Sequence, residues 1–119
     1  MGKKILVADD ERNIVLLVKV NLERQGYDVI TAADGEECLD RVRSEKPDLI
    51  VLDIFMPKLD GFGVLKAIRE APDTADLPVI ILSQEDEDRV SSGDRVDMYI
   101  PKPFDPRDLI ALVKSILGD

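Results

Sequence analysis

Five residues of this chain could do chemistry together: Asp9, Asp10, Asp53, Ser83 and Lys102. Each stands at the end of a short apolar run. Ile5-Leu6-Val7-Ala8 leads into Asp9-Asp10, Leu49-Ile50-Val51-Leu52 into Asp53, Val79-Ile80-Ile81-Leu82 into Ser83, and Met98-Tyr99-Ile100 towards Lys102-Pro103. Carboxylates gathered at one place repel: two unit charges ~4 Å apart cost ~4 kcal/mol at an effective dielectric of ~20. A divalent cation offsets that repulsion, and hard carboxylate oxygens suit Mg²⁺. Lysine adds a fixed ammonium, and serine a hydroxyl that both donates and accepts. Together these groups suit phosphoryl transfer: a carboxylate attacks phosphorus in line while the cations stabilise the equatorial oxygens. Singly, each residue has a plainer reading. Asp9 and Asp10 could cap a helix, Asp53 could be a loop carboxylate, and Ser83 a strand-end hydroxyl. The compatible set at four run ends is what points to a site.

The elements that position these groups follow from periodicity. The runs 5–8, 49–52 and 79–82 are apolar throughout and rich in β-branched residues, as strands are when both sheet faces are covered. Residues 27–32 form a weaker mixed run, and 98–100 a short fifth. Between them, residues 11–25, 35–45, 61–70 and 106–117 read as helices. Asp10, Asp34 and Asp105 are their expected N-caps, and Gly26, Pro47 and Ala71-Pro72 their stops. Pro106 takes a first helical position, with Asp108 placed as in a capping box. Residues 84–95 hold one apolar residue, Val90, so the fourth helix is expected to be shortened or irregular. The order predicts an α/β fold, an open, doubly wound five-stranded parallel sheet. Sites in such sheets form beyond the strands' carboxyl ends, near the switch in strand order.

Composition excludes other classes. The chain has 119 residues, enough for one domain spanning 1–119. Its net charge of −9 disfavours direct nucleic-acid contact and binding to an anionic membrane surface. There is no histidine, which removes His-based catalysis, His-ligated metals and a phosphohistidine role. The one cysteine, Cys38, removes internal disulfides and fits a reducing compartment. No apolar run approaches the ~18 residues of a membrane span, so a cytoplasmic protein is expected. No P-loop or G-x-G-x-x-G is present; Asp-Asp-Glu fills the loop after the first run, where it attracts cations and repels free phosphate.

These residues resemble the receiver domain of bacterial two-component response regulators along essentially the whole chain. K-K-I-L-V-A-D-D-E opens as those domains open, and P-D-L-I-V-L-D-I-F-M-P-K-L-D-G-F surrounds Asp53 as the family surrounds its phosphoacceptor. L-P-V-I-I-L-S sets Ser83 on the family hydroxyl, and Y-I-P-K-P-F sets Lys102 on the family lysine. The resemblance implies a flavodoxin-like (βα)5 three-layer sandwich. It implies a phosphorelay switch in which Asp53 takes a phosphoryl group from a phosphohistidine of a histidine kinase or histidine phosphotransfer protein. Such a domain is not a conventional enzyme; it catalyses its own phosphotransfer and autodephosphorylation. Asp10, Asp53 and the Phe55 carbonyl would ligate Mg²⁺, with Asp9 acting through water. Lys102 would pair with the acyl phosphate, Ser83 would bond a phosphoryl oxygen, and Tyr99 would turn inward behind it to alter an output surface. The Lys102-Pro103 bond would be cis.

Some positions depart from the family pattern or stay open. Gln84 stands where a small residue is usual, and Phe55 and Glu85 differ from many members. Tyr99 also has a plainer reading, as a half-buried strand aromatic. The first helix carries more apolar residues than one face can bury: Ile14, Val15, Leu16, Leu17, Val18, Val20 and Leu22. In the family this helix and the loop after the fifth strand dock the kinase, so Ile14, Val15, Leu16 and Pro103 are a candidate partner patch; scattered surface apolars are the plain alternative. A module of the same fold that signals through protein contacts without phosphate is the second functional reading. An Asp-nucleophile phosphatase would want an acid where Phe55 stands.

Overall fold

A computed structural model of the chain describes residues 3–83 and 98–119. Five strands, β1 (Lys4–Ala8), β2 (Asp28–Ala32), β3 (Leu49–Asp53), β4 (Val79–Ser83) and β5 (Met98–Pro101), form one sheet in the order β2-β1-β3-β4-β5. All four pairings are parallel. The described helices are α1 (Arg12–Arg24), α2 (Gly35–Glu45), α3 (Gly61–Glu70) and α4 (Pro106–Leu117). This is the doubly wound, flavodoxin-like order, with its switch between β1 and β3. The expected irregular fourth helix, with Gln84 and Glu85, falls outside the described residues.

Strand alternation divides the core into two layers. Leu6, Ala8, Ile50, Leu52, Val79 and Ile81 face α2 and α3, against Cys38, Val42, Val64, Leu65 and Ile68. Ile5, Val7, Leu49, Val51, Ile80 and Leu82 face the other way, against Val18 and Leu22 of α1 and Leu109 and Val113 of α4. β1 beyond Lys4, and β3 and β4 up to their last residues, are therefore apolar because both sides are covered. The mixed pattern of β2 follows from its place at the sheet edge, where Asp28 is exposed.

The helix ends follow local chemistry. The Asp34 carboxylate accepts from the Glu37 N–H and the Asp105 carboxylate from the Arg107 N–H, as their cap positions require. Asp60 caps α3 in the same way, accepting from the Gly63 N–H. Gly26 and Gly118 take positive φ just past α1 and α4. One expected cap is corrected: the residue before α1 is Glu11, not Asp10, and its side chain makes no cap bond. The helix starts later because the Asp9 carboxylate holds the Glu11 N–H at 2.9 Å, which keeps Asp9-Asp10-Glu11 out of the first turn.

α1 also sorts its apolar excess. Val18 and Leu22 are buried, and Ile14 and Val15 pack half-buried against the same layer. The residues left outside are Leu16, Leu17 and Val20, 61%, 40% and 36% exposed. The outward patch is thus Leu16 with Leu17 and Val20; Ile14 and Val15 are drawn towards the core because they lie on the Val18–Leu22 side of the helix.

Candidate functional site

The sheet register builds the site. Ala8 pairs with Leu52 and Asp53 with Leu82, so continuing β1 by one residue sets Asp9 beside Asp53 on adjacent parallel strands. Neighbouring strands lie about 4.8 Å apart, which forces the two carboxylates together. Both are buried, 1% and 4% exposed, while Asp10, one residue further on, is exposed. Ser83 closes β4 in register with Pro101 of β5. The chain then passes Lys102 and a cis Lys102-Pro103 bond before α4.

Lys102 enters this carboxylate cluster from the far side of the sheet. Its Nζ lies 2.9 Å from Asp9 Oδ2, 3.2 Å from Asp53 Oδ1 and 3.1 Å from Glu11 Oε1, with the side chain only 6% exposed. The contact with Glu11 is one that sequence reading missed. The signal is the third acid in Asp9-Asp10-Glu11, which the helical pattern of residues 11–25 absorbs.

The protonation balance shows the strain in charge. Burial pushes the Asp53 carboxyl up to about 6, the negative Asp9 beside it adds to this, and Lys102 only partly opposes it. Burial likewise raises Asp9 above the usual carboxylate range against the Glu11 N–H and Lys102. Burial pulls the Lys102 ammonium down, but its bonds to Asp9 and Glu11 and the charges around it more than offset this and raise it. One ammonium therefore leaves negative charge uncompensated. Asp9, Asp10 and Asp53 each offer an oxygen within 4.8 Å of the others. Hard oxygen donors, excess negative charge and the open side at Asp10 fit a small divalent cation such as Mg²⁺.

The loop from β3 to α3 is held close to this cluster. The Gly61 N–H donates to the Ile54 carbonyl at 2.7 Å, and a Cβ at Gly61 would lie 2.5 Å from the Asp53 carbonyl oxygen. A Cβ at Gly35 would lie 1.9 Å from the Leu59 carbonyl oxygen, so α2 braces the loop from below. Lys58 reaches Asp34 at 3.7 Å. Phe55, next to the cluster, is exposed, and Met56 is buried. Tyr99 packs half-buried against the α2–α3 layer. Pro103 is exposed beyond Lys102.

Among the described residues, no helix is long and apolar enough to cross a membrane. Comparison with known proteins agrees with the geometry. The alkaline phosphatase synthesis transcriptional regulatory protein PhoP of Bacillus subtilis is 52% identical over 120 residues, covering 98% of this chain and 49% of PhoP. The response regulator MprA of Mycolicibacterium vanbaalenii is 40% identical, covering 98% of this chain and 51% of MprA. The chain thus spans about half the length of these relatives. Among solved structures, the chemotaxis response regulator CheY4 of Vibrio cholerae superposes with a TM-score of 0.91 at 29% identity, over 98% of this chain and 99% of that one. The receiver domain of a Pseudomonas aeruginosa sensor histidine kinase, described with a magnesium ion coordinated in its active-site cleft, superposes with a TM-score of 0.90 at 25% identity over 100% of both chains. Residues 5–114 match the family model of the response regulator receiver domain, and the chain belongs to that family of two-component signalling domains.

Proposed function

We propose that residues 1–119 act as one phosphorylation-dependent switch in which Asp53 accepts a phosphoryl group. The donor is the phosphohistidine of a histidine kinase or histidine phosphotransfer protein, or a small acyl phosphate. An Asp53 carboxylate oxygen forms the new O–P bond as the bond from phosphorus to the donor's nitrogen or oxygen breaks. The leaving group departs with that electron pair, and a departing imidazole takes its proton from water. The observation that supports this best is Lys102 Nζ within 3.2 Å of both Asp9 and Asp53, in a cluster that still carries excess negative charge.

Each residue has a job in this reading. Asp10, Asp53 and the Phe55 carbonyl would hold Mg²⁺. Asp9 would act through water, since Lys102 and the Glu11 N–H already occupy its two oxygens. Bound Mg²⁺ supplies positive charge to the phosphoryl oxygens. Lys102 holds a phosphoryl oxygen, and Ser83 at the end of β4 donates to another. The phosphoryl group's charge of about −1.5 to −2, in place of the carboxylate's single charge, then reorganises the β4–β5 side, with Tyr99 as the responding aromatic. The domain is not a conventional enzyme; it catalyses its own phosphorylation and dephosphorylation. A cytoplasmic setting fits the donor. Leu16 with its neighbours and Pro103 are the proposed kinase-facing surface. With a charge of −9, any DNA contact by a longer protein would come from residues outside this chain.

Intact-mass spectrometry after incubation with acetyl phosphate tests the reading. A single Mg²⁺-dependent phosphoryl adduct on the wild type, lost in Asp53→Asn, is expected. No adduct, while a known receiver run alongside is modified, would sink it in favour of a phosphate-independent interaction module.

A further inference from the structure

The Lys102 ammonium is crowded by carboxylates. An ammonium has three donors; among the described residues it hydrogen-bonds to Asp9 Oδ2 at 2.9 Å and to Glu11 Oε1 at 3.1 Å, and Asp53 Oδ1 lies 3.2 Å away. A phosphoryl oxygen drawn to Lys102 competes with these carboxylates. Asp9 is fully buried, so releasing it would leave a buried carboxylate short of a partner. Asp53 carries the phosphoryl group itself. Glu11 is 50% exposed, so its carboxylate can exchange Lys102 for water at small cost. The Glu11 side chain makes no cap bond to α1, although Glu11 is the N-cap residue. Its reach to Lys102 is therefore not a by-product of helix capping.

We infer that Glu11 is a positioning residue for phosphorylation: it holds one donor of Lys102 in the unmodified protein and yields it to the incoming phosphoryl oxygen. The pair competes with the phosphoryl group and so sets how readily the site is modified. This rests on Asp53 being the phosphoacceptor. The same carboxylate also adds negative charge where an anionic donor must approach, and the two effects have to be separated by experiment.

Initial phosphorylation rates with acetyl phosphate and Mg²⁺, followed by intact mass across donor concentrations, separate them. Glu11→Gln removes the charge and the pair. Glu11→Asp keeps the charge but shortens the side chain by one C–C bond, about 1.5 Å, drawing it away from Lys102; aspartate is also a good N-cap, which turns it towards the helix. Both variants are expected to raise kcat/KM for acetyl phosphate by about 2- to 5-fold, the range of an exposed ion pair. Their urea midpoints should stay at or above the wild-type value. In ~0.5 M salt the gain should shrink, because exposed pairs are screened. A Glu11→Asp variant at the wild-type rate would reduce the effect to donor repulsion and overturn the positioning role. Glu11→Gln at the wild-type rate, or a gain undiminished by salt, would overturn it too. In each of these cases the wild type is still modified, so the phosphoacceptor reading survives. A wild type that takes no phosphoryl group defeats both.

Discussion

Replacing Asp53 by asparagine should make the metal-free protein more stable, although it removes the central residue of the site. Its carboxyl is pushed up to about 6 by burial and by Asp9, against an ordinary value of 3.8. At 1.36 kcal/mol per unit, a shift of ~2 units sets an upper bound of ~3 kcal/mol for the penalty of ionising it in the fold. The cluster opens to water on the side of exposed Asp10, and screening there reduces this to about 1–2 kcal/mol. The sign follows from proton binding. Between about pH 4 and about pH 6 the native carboxyl holds more proton than the unfolded one, so stability falls as pH rises through that window. Above it both forms are ionised and the whole penalty is present. Asp53→Asn should therefore exceed the wild type by about 1–2 kcal/mol at ~pH 8, a Tm gain of about 4–8 °C per kcal/mol for a domain near this size. The advantage should shrink towards zero as pH falls to about 4. Urea unfolding followed by far-UV circular dichroism in EDTA, over a pH series, measures both quantities. Adding Mg²⁺ should then stabilise the wild type more than the variant, because only a state that binds the ion gains from it. A variant no more stable than the wild type at ~pH 8, or an advantage that does not narrow in acid, would refute the electrostatic reasoning.

Three further outcomes are expected. Gly61→Ala sets a Cβ 2.5 Å from the Asp53 carbonyl oxygen and should cost about 1–3 kcal/mol by denaturation, with slower phosphorylation because the end of β3 must shift. Cys38 is buried and its thiol is pushed up to about 12 by burial and by the charges of Asp34 and Glu37; a disulfide exchange reagent at ~pH 8 should label it in urea but scarcely in the native protein, and fast native labelling would show that α2 does not seal it. On α1, Leu16→Ser should change stability by no more than about 0.5 kcal/mol, whereas Leu22→Ala should lose about 2–5 kcal/mol; equal losses would mean that the helix is rotated from the orientation described.

The sheet was legible because covered strands carry an unbroken apolar signal. Ile5 to Ala8, Leu49 to Leu52 and Val79 to Leu82 are all fully buried, and no periodicity ambiguity arises there. The convergence of Asp9 and Asp53 was legible for the same reason, since both close such runs. The caps at Asp34 and Asp105 could be read because a short carboxylate reaches its own backbone two or three residues on. What escaped was set by contacts across the chain. Glu11 looked like a helix residue, and Lys102, 91 positions away, gives its side chain a partner. Asp10 looked like a cap, and it failed because Asp9 had captured the Glu11 N–H. The sorting of α1 depended on which side meets β1 and β2; Ile14 and Leu16 are equally apolar, and composition could not rank them.

The pairing of Ala8 with Leu52 has a consequence for how this domain could fail. Side chains on a strand alternate sides, so a slip of β3 by one residue would turn Asp53 away from Asp9 and press it among the aliphatic side chains beneath α2 and α3. The same slip would send Val51 and Leu49 to the opposite layer. An insertion or deletion in β3 cannot, therefore, leave a well-packed domain that merely lacks the Asp53 carboxylate at the cluster. Misassembly would announce itself as lost solubility before it showed as lost signalling, and every chain that survives to fold presents Asp53 to Asp9 and Lys102.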